Sequence, residues 1–175
     1  MVLTVSGLPG SGTSTLSKRA AAALGIEHLD GGTVFRAMAA ERGLSVGRFS
    51  ALAETDPAYD LELDSRLAER ARAGDVLLES RLAGWITAKE GVEAFRVWVA
   101  CEEDERARRV AAREDKDLDA ALIANRRREA SELQRYHDYY GIDLGDLSVY
   151  DVVLDSTVAS PDDLVAAVLE AVASR

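Results

Sequence analysis

The chain has 175 residues, of which 47% are hydrophobic and 30% charged, and its 31 acidic against 21 basic side chains give a formal net charge of −10. That length suits one hydrophobic core with appendages, the composition excludes a wholly disordered chain, and the charge repels a nucleic-acid backbone at long range. The lone cysteine, Cys101, excludes an internal disulfide and is expected to be a buried, inert thiol; no Cys/His cluster offers zinc, and no apolar run approaches the roughly 18 residues of a membrane span, so cytoplasmic residence is expected.

Taken in chain order, VLTVS reads as a short buried strand, GLPGSGTST as a loop, and Ser14 to Leu24 as an alanine-rich helix stopped by Gly25. A second strand, Glu27 to Leu29, leads into a helix from about Thr33 to Arg42, and Ser45 to Ala73 continues as helix with an interruption near Pro57. DVLLE reads as a third strand and, after a polar connection, FRVWVA as a fourth. Glu102 to about Tyr139 is charged, arginine-rich helix broken near Asp115 to Asp117. VVLDS is the fifth strand, and Ser160, Pro161 and Asp163 form a capping-box start to a last helix whose apolar face includes Leu164, Val165, Val168, Leu169 and Val172. Helices between successive strands predict an α/β fold with a parallel sheet.

The first loop has the spacing of a phosphate cradle. Gly7, Gly10 and Gly12 let consecutive N–H groups curl around an anion, the helix N-terminus adds its dipole, and Ser14 offers a hydroxyl to Mg²⁺. Thr13 stands where such loops carry lysine, so a point charge on the terminal phosphates is missing. Lys18, one turn on, is more simply a solvated side chain. A plain glycine turn is the alternative, which the strand-to-helix context disfavours.

Two groups of candidates lie at the carboxyl ends of the next strands, where ligands of open α/β sheets bind. Asp30 and Arg36 follow the second strand, placing Arg36 to reach an incoming monophosphate. Glu79 and Arg81 end the third; the carboxylate would orient a magnesium water and the guanidinium would grip phosphate bidentately. Further along, Arg106, Arg109, Arg113, Arg126, Arg127, Arg128 and Arg135 concentrate cations between the fourth and fifth strands. Half of these are expected only to pair with Glu102, Glu103, Glu105, Glu129 and Glu132 at helical spacing.

These segments together resemble the cytidylate kinases, in particular the short archaeal type, from end to end. GLPGSGTSTL is similar to the family's loop, DGGTVFRAM to its monophosphate-binding segment, LESRLAGW to its third-strand motif, and RREASELQRYHDYYGIDLGDLSVYDVVLDST to its lid-to-last-strand stretch. The resemblance implies a three-layer P-loop kinase with a five-stranded parallel sheet, a monophosphate-binding lobe at 31–73 and a lid at 113–135. It implies ATP and Mg²⁺ as cofactors, small-molecule nucleotides as the partners, no nucleic acid or membrane, and a monomer. ATP would contact Gly7, Leu8, Pro9, Gly10, Ser11, Gly12, Thr13, Ser14 and Thr15, with Ser14 on the metal and Glu79 acting through water. Arg36, Arg81, Arg128 and Arg135 would serve catalysis, and Asp30, Arg36, Arg66, Arg81 and Glu132 would hold the acceptor, with Asp64 and Arg66 in the lobe that reads the base. The implied reaction carries the ATP γ-phosphoryl group to CMP or dCMP. A kinase for AMP, UMP or a modified pyrimidine nucleotide, and a catalytically weak nucleotide sensor, stay open. Besides Thr13, Thr33 departs from the family pattern, which often has aspartate there.

Overall fold

A computed structural model describes residues 1–175. Five strands, β1 (Val2–Gly7), β2 (Glu27–Asp30), β3 (Val76–Glu79), β4 (Phe95–Ala100) and β5 (Val152–Asp155), pair in parallel in the order β2-β3-β1-β4-β5. The central strands are buried on both sides, as all-parallel sheets covered by helices require; all of β1 and β3 is buried, while edge strand β5 alternates intermediate and exposed positions.

The helices are α1 (Thr13–Leu24), α2 (Gly31–Glu41), α3 (Val46–Ala53), α4 (Ala58–Arg72), α5 (Ala83–Lys89), α6 (Glu103–Glu114), α7 (Leu118–Tyr140) and α8 (Pro161–Ala173). Local chemistry sets most of their starts. Asp30, Ser45, Asp117 and Ser160 each accept a backbone N–H from the first turn they cap, and Ser160 and Asp163 complete the expected capping box. Leu16, Ala20, Leu164 and Val168 bring α1 and α8 onto one face of the sheet. On the other face Leu67, Ala68, Ala71, Leu82, Ala83 and Ile86 pack α4 and α5, joined by Tyr136 and Ile142 at the end of α7. A satellite cluster of Met38, Ala39 and Phe49 holds α2, α3 and α4 together. No helix is long and apolar enough to cross a membrane.

Two expectations need correction. The segment between the third and fourth strands holds α5, whose seven residues start at Ala83 after Leu82, which supplies no side-chain cap and so no start signal in the sequence. Cys101 is half-buried and not fully enclosed, because it follows the end of β4 as the chain leaves the sheet for α6.

The connection after β1 crosses the sheet toward β2, and the one after β3 crosses back past β1 to β4. The carboxyl ends of the neighbouring strands β1 and β3 therefore flank the crevice that such a reversal opens.

Candidate active site

The loop after β1 runs from Gly7 to Gly12 and is pinned from behind. Gly10 and Gly12 have φ of 85° and 89°, in the left-handed region, and a Cβ on Gly10 would lie 2.5 Å from the Arg106 carbonyl oxygen. Arg106, 5% exposed, donates to the Pro9 carbonyl at 3.3 Å and the Cys101 carbonyl at 3.2 Å, and pairs with Glu129 of α7. The Ser156 hydroxyl donates to the Ser11 carbonyl at 2.7 Å. With its carbonyls tied back, the loop leaves the N-terminus of α1, where Gly12 supplies no capping side chain, with free N–H donors for an anion.

At the mouth of this loop lies one carboxylate. Glu79, 6% exposed, accepts from the Thr13 hydroxyl at 3.0 Å and the Ser14 hydroxyl at 2.5 Å, both on Oε1, and its Oε2 lies 2.8 Å from His28 Nε2. Thr13, at the lysine position, thus serves as a neutral donor to Glu79. Ser14 and Glu79 form a pair of hard oxygen donors, and no group of three His, Cys, Asp or Glu side chains gathers elsewhere as a metal cage. That sparse donor set fits Mg²⁺, which takes one or two protein oxygens and fills its octahedron with water and phosphate. Lys18 is exposed on α1, as its solvated reading predicts.

On the acceptor side, Asp30 caps α2 by accepting from Gly32 N and Thr33 N at 3.0 Å each. Burial raises the Asp30 carboxyl, but the hydrogen bonds from Thr33 and Gly32 outweigh it and leave the group below the usual range. Arg36 reaches back to the Thr33 hydroxyl at 2.7 Å and to Asp30 at 3.3 Å with a side chain 57% exposed. These contacts hold the guanidinium through Nη2 on a side chain that is otherwise largely open to solvent.

A seam of alternating charges crosses from β3 to α7. Arg81 donates through Nη1 to the Gly7 carbonyl at 2.7 Å and through Nε to Glu132 at 3.0 Å. Arg128 meets the other Glu132 oxygen at 2.8 Å from one turn earlier on α7. Burial pushes Glu132 up, yet the charges of Arg81 and Arg128 win and hold its carboxyl below the usual range. Arg135, one turn beyond Glu132, pairs with Asp60 of α4 at 3.1 Å. Burial raises the Asp60 carboxyl, the nearby Glu132 charge adds to the rise, and Arg135 only partly opposes it.

The structure thus forms three neighbouring contact groups, Thr13, Ser14 and His28 on Glu79, Gly7 and Glu132 on Arg81 with Arg128, and Arg135 on Asp60, with Asp30 and Arg36 on the next strand end. Arg66 is not brought in. Its guanidinium grips Glu41 at 2.9 and 2.7 Å and Glu62 at 2.8 Å, at the end of α2 away from Asp30 and Arg36 and about 15 Å down that helix. Two members of these groups went unread in the sequence. His28 sits two residues before Asp30 on β2, so strand alternation alone puts both on one face; Asp60 opens α4 one turn before Asp64.

A family profile described as an AAA domain matches residues 6–121. A cytidylate kinase from Halorubrum lacusprofundi is 46% identical over 98% of this chain and 90% of its own length, and one from Methanopyrus kandleri is 44% identical over 93% and 88%. The chain belongs to the cytidylate kinase family. Pyrococcus horikoshii has a further member, 41% identical over 98% of the chain and 88% of its own length. In fold alone, the structure matches a shikimate kinase from Bacteroides thetaiotaomicron with a TM-score of 0.69 at 14% identity, covering 99% of this chain and 98% of that one. An uncharacterized protein from Eubacterium ventriosum superposes with a TM-score of 0.76 at 17% identity, over 100% and 99% of the two chains. The fold class expected from the sequence, a P-loop kinase with a five-stranded parallel sheet, is the one observed.

Proposed function

We propose that this chain transfers the γ-phosphoryl group of ATP to CMP or dCMP, giving ADP and the corresponding diphosphate, as a monomer. The observation that carries the reading is the seam itself: Arg81 spans the phosphate loop and Glu132, so one guanidinium lies between the donor cradle and the α7 arginines. The names of the 40–46% identical relatives supply the acceptor.

The roles follow from placement. The N–H groups at the start of α1 hold the ATP phosphates, and Ser14 with Glu79 would hold Mg²⁺, the serine directly and the carboxylate through water. When bound, Mg²⁺ supplies positive charge to the β- and γ-phosphate oxygens. Arg36 and Arg81 hold the monophosphate in line for direct attack, so no covalent enzyme intermediate forms. Arg128 and Arg135 offset charge on the migrating group as the lid at 113–135 closes on the lobe at 31–73. The Arg135–Asp60 pair and the 3.1 Å bond from Ser131 to Glu54 join α7 to that lobe and support such a closure. Thr13 contributes no charge, which leaves these arginines as the side-chain cations assigned to the transfer.

A coupled ADP-release assay with ATP, Mg²⁺ and each of CMP, dCMP, UMP and AMP tests the proposal. Turnover dependent on CMP or dCMP, at least tenfold above UMP and AMP in kcat/KM, is expected; preference for another acceptor, or ATP binding without transfer, overturns it.

A further inference from the structure

The Glu79 carboxylate is the only acidic group at the mouth of the loop that touches Ser14, and every contact it makes is to a neutral hydroxyl or an imidazole. A carboxylate presents about four acceptor positions, two on each oxygen. Oε1 is filled by Thr13 and Ser14, and Oε2 takes His28, so one position remains. Because a carboxylate accepts and does not donate, the His28 contact requires the proton on Nε2.

We propose that His28 is a positioning residue for the metal site: its Nε2–H fixes the rotation of the Glu79 carboxylate so that the one unused lone pair, on Oε2, faces a water of the Mg²⁺ shell. The proposal rests on the reading of Glu79 as a partner of magnesium water. Three features support it. The last torsion of a glutamate side chain is broad, so a carboxylate held only through Oε1 is free to roll, and a second contact on Oε2 removes that freedom. The imidazole is itself enclosed, with side-chain exposure of 17% against 7% for Glu79, so the pair is shielded from competing water. The Ser14 proton is committed to Glu79 at 2.5 Å, which turns the hydroxyl lone pairs outward to a cation. His28 comes from β2, whereas Thr13 and Ser14 come from α1, so the carboxylate of β3 is held from both sides. Partners of this kind, one step behind a metal's own ligands, typically change metal affinity ten- to a hundredfold when removed.

The test uses the full chain and three variants: His28→Leu, which fills the space without a donor, His28→Gln, whose amide nitrogen reaches the same place, and Glu79→Gln. Calorimetry measures ATP affinity without acceptor, in EDTA and in saturating Mg²⁺, and the ratio of the two constants gives the gain from magnesium. We expect Glu79→Gln and His28→Leu each to reduce that gain about tenfold with metal-free affinity unchanged, and His28→Gln to keep it within about twofold. The Mg²⁺ concentration for half-maximal turnover should shift in parallel, with KM for CMP constant. A normal gain in His28→Leu alongside a reduced one in Glu79→Gln overturns the proposal alone. A His28→Gln variant as impaired as His28→Leu overturns it too, since the donor would then not be the cause. A normal gain in Glu79→Gln removes the reading of Glu79 as well.

Discussion

The arginines of this protein divide into two sets that look alike in the sequence and differ in the fold. Arg66 with Glu41 and Glu62, Arg126 with Glu103, and Arg72 with Glu90 form pairs on the outside of the helices, open to water. Arg81 with Glu132, Arg106 with Glu129, and Arg135 with Asp60 make the same chemical contact between elements, but with side chains only 6–17% exposed on all six residues. Water screens the first set, so each pair contributes little. In the second set desolvation is severe, so removing one partner strands a charge and is costly. Burial, and not arginine density, therefore marks the groups that organise the cleft.

The contrast predicts its largest effect at Arg81. Arg81→Ala should lower kcat/KM for CMP about 10³-fold, roughly 4 kcal/mol of transition-state stabilisation, while ATP affinity measured by calorimetry stays within about threefold. Unchanged acceptor kinetics would remove Arg81 from the site and leave its buried pair as architecture.

Asp64 sharpens the comparison because it is half-buried, with one carboxylate oxygen enclosed and no cation in hydrogen-bond contact. It lines a groove between α4, α5 and the end of α7, with Leu82, Ile86, Lys89 and Tyr140. Burial pushes its carboxyl from 3.8 up to about 7, and the charge of Asp60 adds to the rise. The folded state therefore holds a proton that the unfolded chain releases near pH 4, and stability is lost as pH climbs from there through about 7. Asp64→Asn removes that loss. Its stability advantage over the natural chain should grow by about 3 kcal/mol between pH 5 and pH 8 in urea unfolding. An advantage that does not change with pH would mean the carboxylate is solvated or paired in solution.

The smallest effect belongs to the exposed set. Arg66→Ala should leave the melting temperature within about 2 °C and kcat/KM for CMP within about twofold. A large loss in KM for CMP alone would return Arg66 to the base-reading role that the family resemblance implies and that its contacts with Glu41 and Glu62 do not support.

Much of this was legible in the sequence for local reasons. The glycine loop, the five short strands and the capping box at Ser160 each depend on a few neighbouring residues, and each appears where its pattern stands. Helix α5 escaped because its start has no cap and its run is short. Arg81 and Glu132 were legible as candidates from the resemblance; that they face each other 51 positions apart was not. His28 and Asp60 were not singled out at all, since a histidine on a strand and an aspartate on a charged helix have no distinguishing neighbours.

The sequence by itself determined the parallel α/β architecture, the phosphate loop with its missing lysine, and the family. The tertiary structure decided that Thr13 and His28 hold Glu79, that Asp60 answers Arg135, and that Arg66 turns away to Glu41. Periodicity, caps and loop spacing are written into consecutive residues, whereas the partner and the desolvation of a charge are set only when distant elements pack.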